Sequence, residues 1–162
     1  MKVEMNMRLW HKDLIPVLPR QQLLAQWREL CAIVGRLEKE GTPNHSLVNK
    51  ITEYPPIHFY MYINLVMYEM KRRGYKVSEE SYTTLADRVR NCVALGNVFD
   101  YDTHQYIPIK TEDIYRDWHN DRYLRQCFYN LQEKYDCGSL EKLEYDRIES
   151  FMKHYSWKEV LK

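Results

Sequence analysis

Apolar positions recur along the chain with the period of a helix. Leu23, Trp27, Leu30, Val34 and Leu37 follow one another at steps of four and three, and Leu24 and Cys31 widen the stripe. The spacing predicts a helix that opens near Pro19 or Arg20, where proline suits the first turn, and stops before Gly41-Thr42-Pro43. Ahead of it, residues 1–19 read as an irregular arm, because Pro16 and Pro19 forbid a continuous α-helix. A short helix is expected within residues 44–54, ended by Pro55-Pro56. Residues 57–74 carry the strongest helical pattern, with Lys71, Arg72 and Arg73 in the last turn and Gly74 as the C-cap. Residues 78–95 suit a helix capped by Ser78 and lead into a long connection over 96–110. Another helix is expected within 111–135, with Leu124, Cys127, Phe128, Leu131 and Tyr135 on one face and Gly138 after its end. A last short helix falls within 140–155. The pattern holds no repeat and no hairpin signal, so the fold class is all-α, a single compact multi-helix domain over 1–162.

Composition agrees with that reading. A chain of 162 residues with 44% apolar content can bury one core. Only 5 glycines argue against a turn-rich sandwich or barrel. No apolar run approaches the roughly 18 residues of a membrane span, and the first residues do not form a signal peptide. A cytoplasmic protein with no membrane partner is therefore expected. Cysteines at 31, 92, 127 and 137 make no metal-ligand spacing, so they read as buried or incidental thiols, and neither metal nor cofactor is expected.

Net charge is only +1, but it is unevenly placed. Residues 1–76 carry 12 Lys/Arg against 7 Asp/Glu, a net of +5; residues 77–162 carry 12 against 16, a net of −4. Such asymmetry fits a polyanionic partner on one face, or chance patterning. At 100° per residue Glu29 lies opposite Trp27 and Val34 and shares its face with Gln22, Ala25, Ala32 and Arg36. The small alanines leave an opening around the carboxylate, and Arg28 and Arg36 flank it. Two readings follow: a solvated helix face, or an acid/base group beside a phosphate backbone.

The segment LLAQWRELCAIVG at 23–35 resembles the helix with the catalytic Arg-Glu pair of phage-type pyrimidine-dimer DNA glycosylases, the dimer-excising endonuclease V family. MKRRGYKV at 70–77 is similar to the end of a later family helix, and NLQEKY at 130–135 to its C-terminal helix. MRLWHKDLIPVLPRQQLL at 7–24 resembles the opening of bacterial members. The resemblance implies an all-α monomer that acts on duplex DNA with a damaged or modified base, without metal or cofactor, and associates with the nucleoid during repair. It implies extrusion of a base, attack of the N-terminal amine on C1′ of the sugar, and β-elimination assisted by the glutamate.

On this resemblance Glu29 is the catalytic carboxylate and Arg28 its DNA-contacting neighbour. Lys134 is the phosphate-contacting lysine, and Gln21 lies beside the DNA. Arg20, Arg36 and Lys12 complete the expected cationic surface. The family's threonine nucleophile falls on Arg8, directly after Met7, so Met7 and Arg8 hold the place of the attacking amine. Residues 1–6 read as a possible extension, and Lys12 or water is the alternative nucleophile. Gln22 stands where the family has a histidine and is expected among the DNA-binding residues, and Ala32 and Asn130 stand where the family has arginines. Besides a glycosylase with possible lyase activity, two readings stay open. One is a DNA-binding relative without the chemistry. The other is a protein-interaction domain, suggested by tyrosine-rich segments 54–68 and 123–135. Among the histidines, His11 is singled out because it lies in the arm before the site.

Overall fold

A computed structural model of the chain describes residues 8–40, 46–76, 83–85, 87–89, 99–100, 105–106 and 109–158. The described residues form an all-α domain. Helices α1 (Arg20–Glu40), α2 (Ser46–Thr52) and α3 (Pro56–Arg72) come first. Helical residues follow at 83–85 and 87–89. Then come α4 (Asp121–Asp136) and α5 (Lys142–His154). A two-residue antiparallel pair, Phe99–Asp100 with Gln105–Tyr106, is the only strand structure among the described residues, and the sequence pattern had not suggested it.

α1 turns Leu23, Leu30, Ile33, Val34 and Leu37 into the core against Phe59, Tyr62, Ile63, Val66 and Met70 of α3. α3 and α4 end as their glycines predict. Gly74 (φ 77) lets the Tyr75 N–H reach the Met70 carbonyl at 3.0 Å, and Gly138 (φ 81) lets the Ser139 N–H reach Lys134 at 2.8 Å. A left-handed residue closes both ends, a conformation glycine adopts without penalty.

The N-terminal arm is less irregular than expected, and it is central. Lys12–Val17 forms a 3₁₀ turn with Pro16 inside it, capped by the His11 ring, whose Nδ1 accepts the Asp13 N–H at 3.1 Å. Leu9, Trp10, Leu14, Ile15 and Leu18 are all buried. The turn packs against both α3 and α5. Pro16 ends an α-helix but not a short 3₁₀ segment, which is why the prolines misled the pattern.

The helix expected within 111–135 begins only at Asp121, where the Asn120 side chain accepts the Tyr123 N–H. Before it lie a 3₁₀ turn at Thr111–Asp113 and successive turns. Tyr115 interrupts any helix there: its φ is 51, and its N–H donates to His58 Nδ1 at 2.9 Å. The burial of its ring offsets that backbone strain. The stop at Gly41–Pro43, the Ser78 cap, most of the connection over 96–110, Cys92 and Met7 lie outside the described residues. Of the remaining cysteines Cys127 is buried, Cys31 half-buried and Cys137 exposed, all as free thiols. No described helix is long and apolar enough to cross a membrane.

Candidate active site

Glu29 opens into a cleft of about 160 Å³ whose walls come from three parts of the chain. The arm supplies Arg8 and Trp10, α1 supplies Gln22, Ala25 and Glu29, and α4 supplies Asn130 and Lys134. The reason is local on each element. Gln22, Ala25 and Glu29 share one face of α1, Asn130 and Lys134 are one turn apart on α4, and the buried Leu9 pins the arm between them.

Burial raises the Glu29 carboxyl above the ordinary range. A hydrogen bond from the Arg8 backbone and the charges of Arg28, Arg8 and Lys134 act against that rise without cancelling it. The site is thus a half-buried carboxylate beside cations, holding its proton more tightly than an ordinary glutamate does. The atom at the end of the Arg8 hydrogen bond is the main-chain nitrogen of residue 8.

Gln26, which the pattern did not flag, holds this arrangement. Its Nε2 donates to the Arg8 carbonyl at 2.9 Å and lies 3.4 Å from Glu29 Oε2. Its Oε1 accepts the Trp10 N–H at 2.8 Å. From the other side, the Tyr123 hydroxyl donates to the Leu9 carbonyl at 2.5 Å. The available signal was a polar residue inside the apolar stripe, between Leu23 and Leu30.

The other expected site residues divide. Arg28 is exposed and does not line the cleft, but its charge acts on Glu29. Gln22 lines the cleft and leaves its Oε1 buried without a partner. Gln21 is exposed on α1, Arg36 is half-buried further along it, and neither lines the cleft. Ala32 is exposed and also lies off it. Arg20 faces another way: its N–H donates to Glu144 at 2.7 Å and its guanidinium lies 5.4 Å from the Tyr75 ring.

Lys12 corrects an expectation. Its side chain is buried, its Nζ has no hydrogen-bond partner, and the charges around it are Asp13, Lys158, Arg116 and Asp113 rather than Glu29. It is neither on an open DNA face nor beside the carboxylate. The backbone turns it inward, because its N–H donates to His119 Nδ1 at 3.0 Å. His11 is likewise a buried capping group, and burial lowers its ring to about 4.

A wider groove of about 720 Å³ adjoins the cleft and shares Arg8 and Asn130 with it. Trp118, Tyr123 and the exposed Tyr129 line it, with Lys50 at its side. No group of three or more His, Cys, Asp or Glu among the described residues is arranged to hold a metal ion.

Residues 7–83 match the model of a family described as pyrimidine dimer DNA glycosylase. That span carries Arg8, Gln22, Gln26, Arg28 and Glu29 and ends before α4. No curated protein and no solved structure matches the chain.

Proposed function

From the match of residues 7–83 to the pyrimidine dimer DNA glycosylase family, we propose that the chain is a member of that family and excises damaged or modified bases, pyrimidine dimers among them, from duplex DNA at the Glu29 cleft. One observation carries the reading: the Glu29 carboxylate accepts a hydrogen bond from the main-chain nitrogen of residue 8 inside a ring of Arg8, Arg28 and Lys134. The cations suit the phosphates on either side of a distorted nucleotide. The adjoining groove, with Trp118 and Tyr123 on its wall, suits an extruded base, since every base has a face to stack. The protein acts as a monomer on the nucleoid.

The chemistry follows from the carboxylate and an amine. A free amine on the arm attacks C1′ of the sugar, and the base leaves with the electron pair of the glycosidic bond. The ring then opens to an imine between the amine and C1′. Glu29 stabilises the positive charge that develops at the sugar and carries protons between base, ring oxygen and water. Loss of a C2′ proton expels the 3′ phosphate by β-elimination. An α-amine has an ordinary pKa of about 7.7–8.0, so a useful fraction is uncharged at neutral pH. In a chain that includes residue 7, the residue-8 nitrogen is an amide and cannot attack. Lyase activity therefore requires a terminus at residue 8, or one at Met7 whose amine reaches from one residue away.

That requirement favours a second reading, a DNA-binding relative that retains the cleft and lacks the nucleophile. One experiment separates the two. Chains beginning at Met1, Met7 and Arg8 are incubated with abasic and dimer-containing duplexes under borohydride. The glycosylase-lyase reading expects a trapped covalent adduct, strongest for the Arg8 start and absent in Glu29→Gln. Base release without an adduct assigns water as the nucleophile. Binding with neither release nor adduct establishes the second reading.

A further inference from the structure

We infer that Gln26 is a positioning residue for the chemistry at Glu29: one carboxamide sets the place of the residue 8–10 main chain relative to the carboxylate. The inference rests on the glycosylase reading above.

Gln26 sits in the apolar stripe of α1 and is completely buried. A polar side chain there is costly unless every hydrogen-bonding direction is used. Here every direction is used. Oε1 accepts the Trp10 N–H at 2.8 Å and lies 3.0 Å from the Tyr62 hydroxyl, which shares its proton with the Trp10 carbonyl at 2.5 Å. Nε2 donates to the Arg8 carbonyl at 2.9 Å and directs its second hydrogen to Glu29 Oε2 at 3.4 Å. The orientation of the amide is fixed, because a reversed amide would set its own hydrogens against the Trp10 N–H.

An apolar side chain of the same shape would fill the space equally well. What the carboxamide adds is register. The main chain at residues 8–10 has no helix or sheet of its own. Gln26 ties residues 8 and 10 from the α1 side, and the Tyr123 hydroxyl ties Leu9 from the α4 side. The carboxylate one turn along α1 then faces a main-chain nitrogen whose position is set by the same carboxamide. Misplacement of reacting groups by about 1 Å costs on the order of 10²-fold in rate.

The test compares the wild-type chain with Gln26→Met, which keeps the volume, and Gln26→Glu, which keeps the shape and sets a second carboxyl against Glu29. Tyr62→Phe, which withdraws one partner from the network and retains the ring, serves if Gln26→Met does not fold. The readouts are kcat and KM for base release, the NMR titration of the Glu29 carboxyl, and hydrogen exchange of the Trp10 amide. Gln26→Met is expected to lower kcat by about 10²-fold with KM nearly unchanged, and to speed exchange at Trp10. Tyr62→Phe should move both in the same direction by less. Gln26→Glu should move the Glu29 titration, and the acid limb of the pH–rate profile with it, to higher pH. Unchanged kcat in Gln26→Met together with faster Trp10 exchange overturns the inference and leaves Gln26 a packing group. If the wild type releases no base from any duplex, it is the glycosylase reading that fails. The Glu29 titration then decides on its own: an unmoved titration in Gln26→Glu overturns the inference, and a shifted one sustains the coupling.

Discussion

Glu29 carries its charge against its surroundings. Burial raises its pKa, and the Arg8 backbone hydrogen bond with the charges of Arg28, Arg8 and Lys134 only partly restores it. The folded chain thus holds the Glu29 proton more tightly than the unfolded chain does. This group favours folding below its unfolded pKa, and that contribution is lost as the pH rises through the higher folded value. At neutral pH its charge opposes folding. Glu29→Gln is therefore expected to unfold at a higher urea concentration than the wild type at pH 7 and at nearly the same concentration at pH 4, while base release falls by at least ~10²-fold. The wild-type acid limb should lie above the ordinary glutamate value, and Lys134→Met, which removes one of the opposing cations, should raise it further. A limb unmoved by Lys134→Met would detach Glu29 from the rate profile. The place of Glu29 was legible, because 100° spacing alone sets it on a face with Gln22 and Ala25. Gln26 was not legible in the same way. Its burial depends on main-chain groups of Arg8 and Trp10, and no period within α1 encodes partners that distant in sequence.

At the scale of elements, the site depends on how firmly the arm is held, and α3 does much of the holding. Glu69 is buried near the end of α3; burial pushes its carboxyl up, but hydrogen bonds from Arg72 and Arg73 outweigh that and leave it lowered. Arg73 then spans to the 3₁₀ turn, with Nη2 donating to the Ile15 and Pro16 carbonyls at 3.2 Å each. Within the KRR run, which reads in sequence as a complement to the helix dipole, Arg73 is a clamp between α3 and the arm. Arg73→Met should cost about 1–3 kcal/mol of stability, because it removes the charge-assisted tie from the buried Glu69 carboxylate to the Ile15 and Pro16 carbonyls, although Arg72 still holds both Glu69 oxygens and the Leu18 N–H still holds the Ile15 carbonyl. Arg72→Met, at a mostly exposed position, should cost less. Urea unfolding at pH 7 ranks the two, and equal losses would refute the clamp. The helix ends at Gly74 and Gly138 were legible because a left-handed cap is a one-residue signal. The late start of α4 was not, because it depends on Tyr115 meeting His58 across the fold.

The molecule as a whole joins the start of the chain to its far end. Residues 8 and 134 meet at the cleft, the Tyr155 hydroxyl donates to Asp13 at 2.6 Å, and the Lys158 N–H donates to Asp121 at 2.8 Å. Beneath this junction His11 and His119 lie with ring centroids 5.2 Å apart, both buried. Each is neutral at pH 7. Burial lowers His11 to about 4, with Asp13 opposing and Lys12 adding to the shift, and burial, His11 and Lys12 hold His119 well below its ordinary value. Between the unfolded histidine value of about 6.5 and those lower folded values, the unfolded chain takes up protons that the folded chain refuses. Stability should therefore fall with pH across that window, by up to about 1.4 kcal/mol per pH unit for each histidine. Asparagine at either position retains an acceptor near Nδ1, for the Asp13 N–H at residue 11 or the Lys12 N–H at residue 119, and cannot titrate. His11→Asn and His119→Asn should each flatten the slope of stability against pH between 6.5 and 5, and the double variant should flatten it most. Because the same pair supports the arm that carries residue 8, adduct trapping at pH 5 should fail first where the arm loosens. A wild-type slope that survives in the double variant would place the acid sensitivity elsewhere.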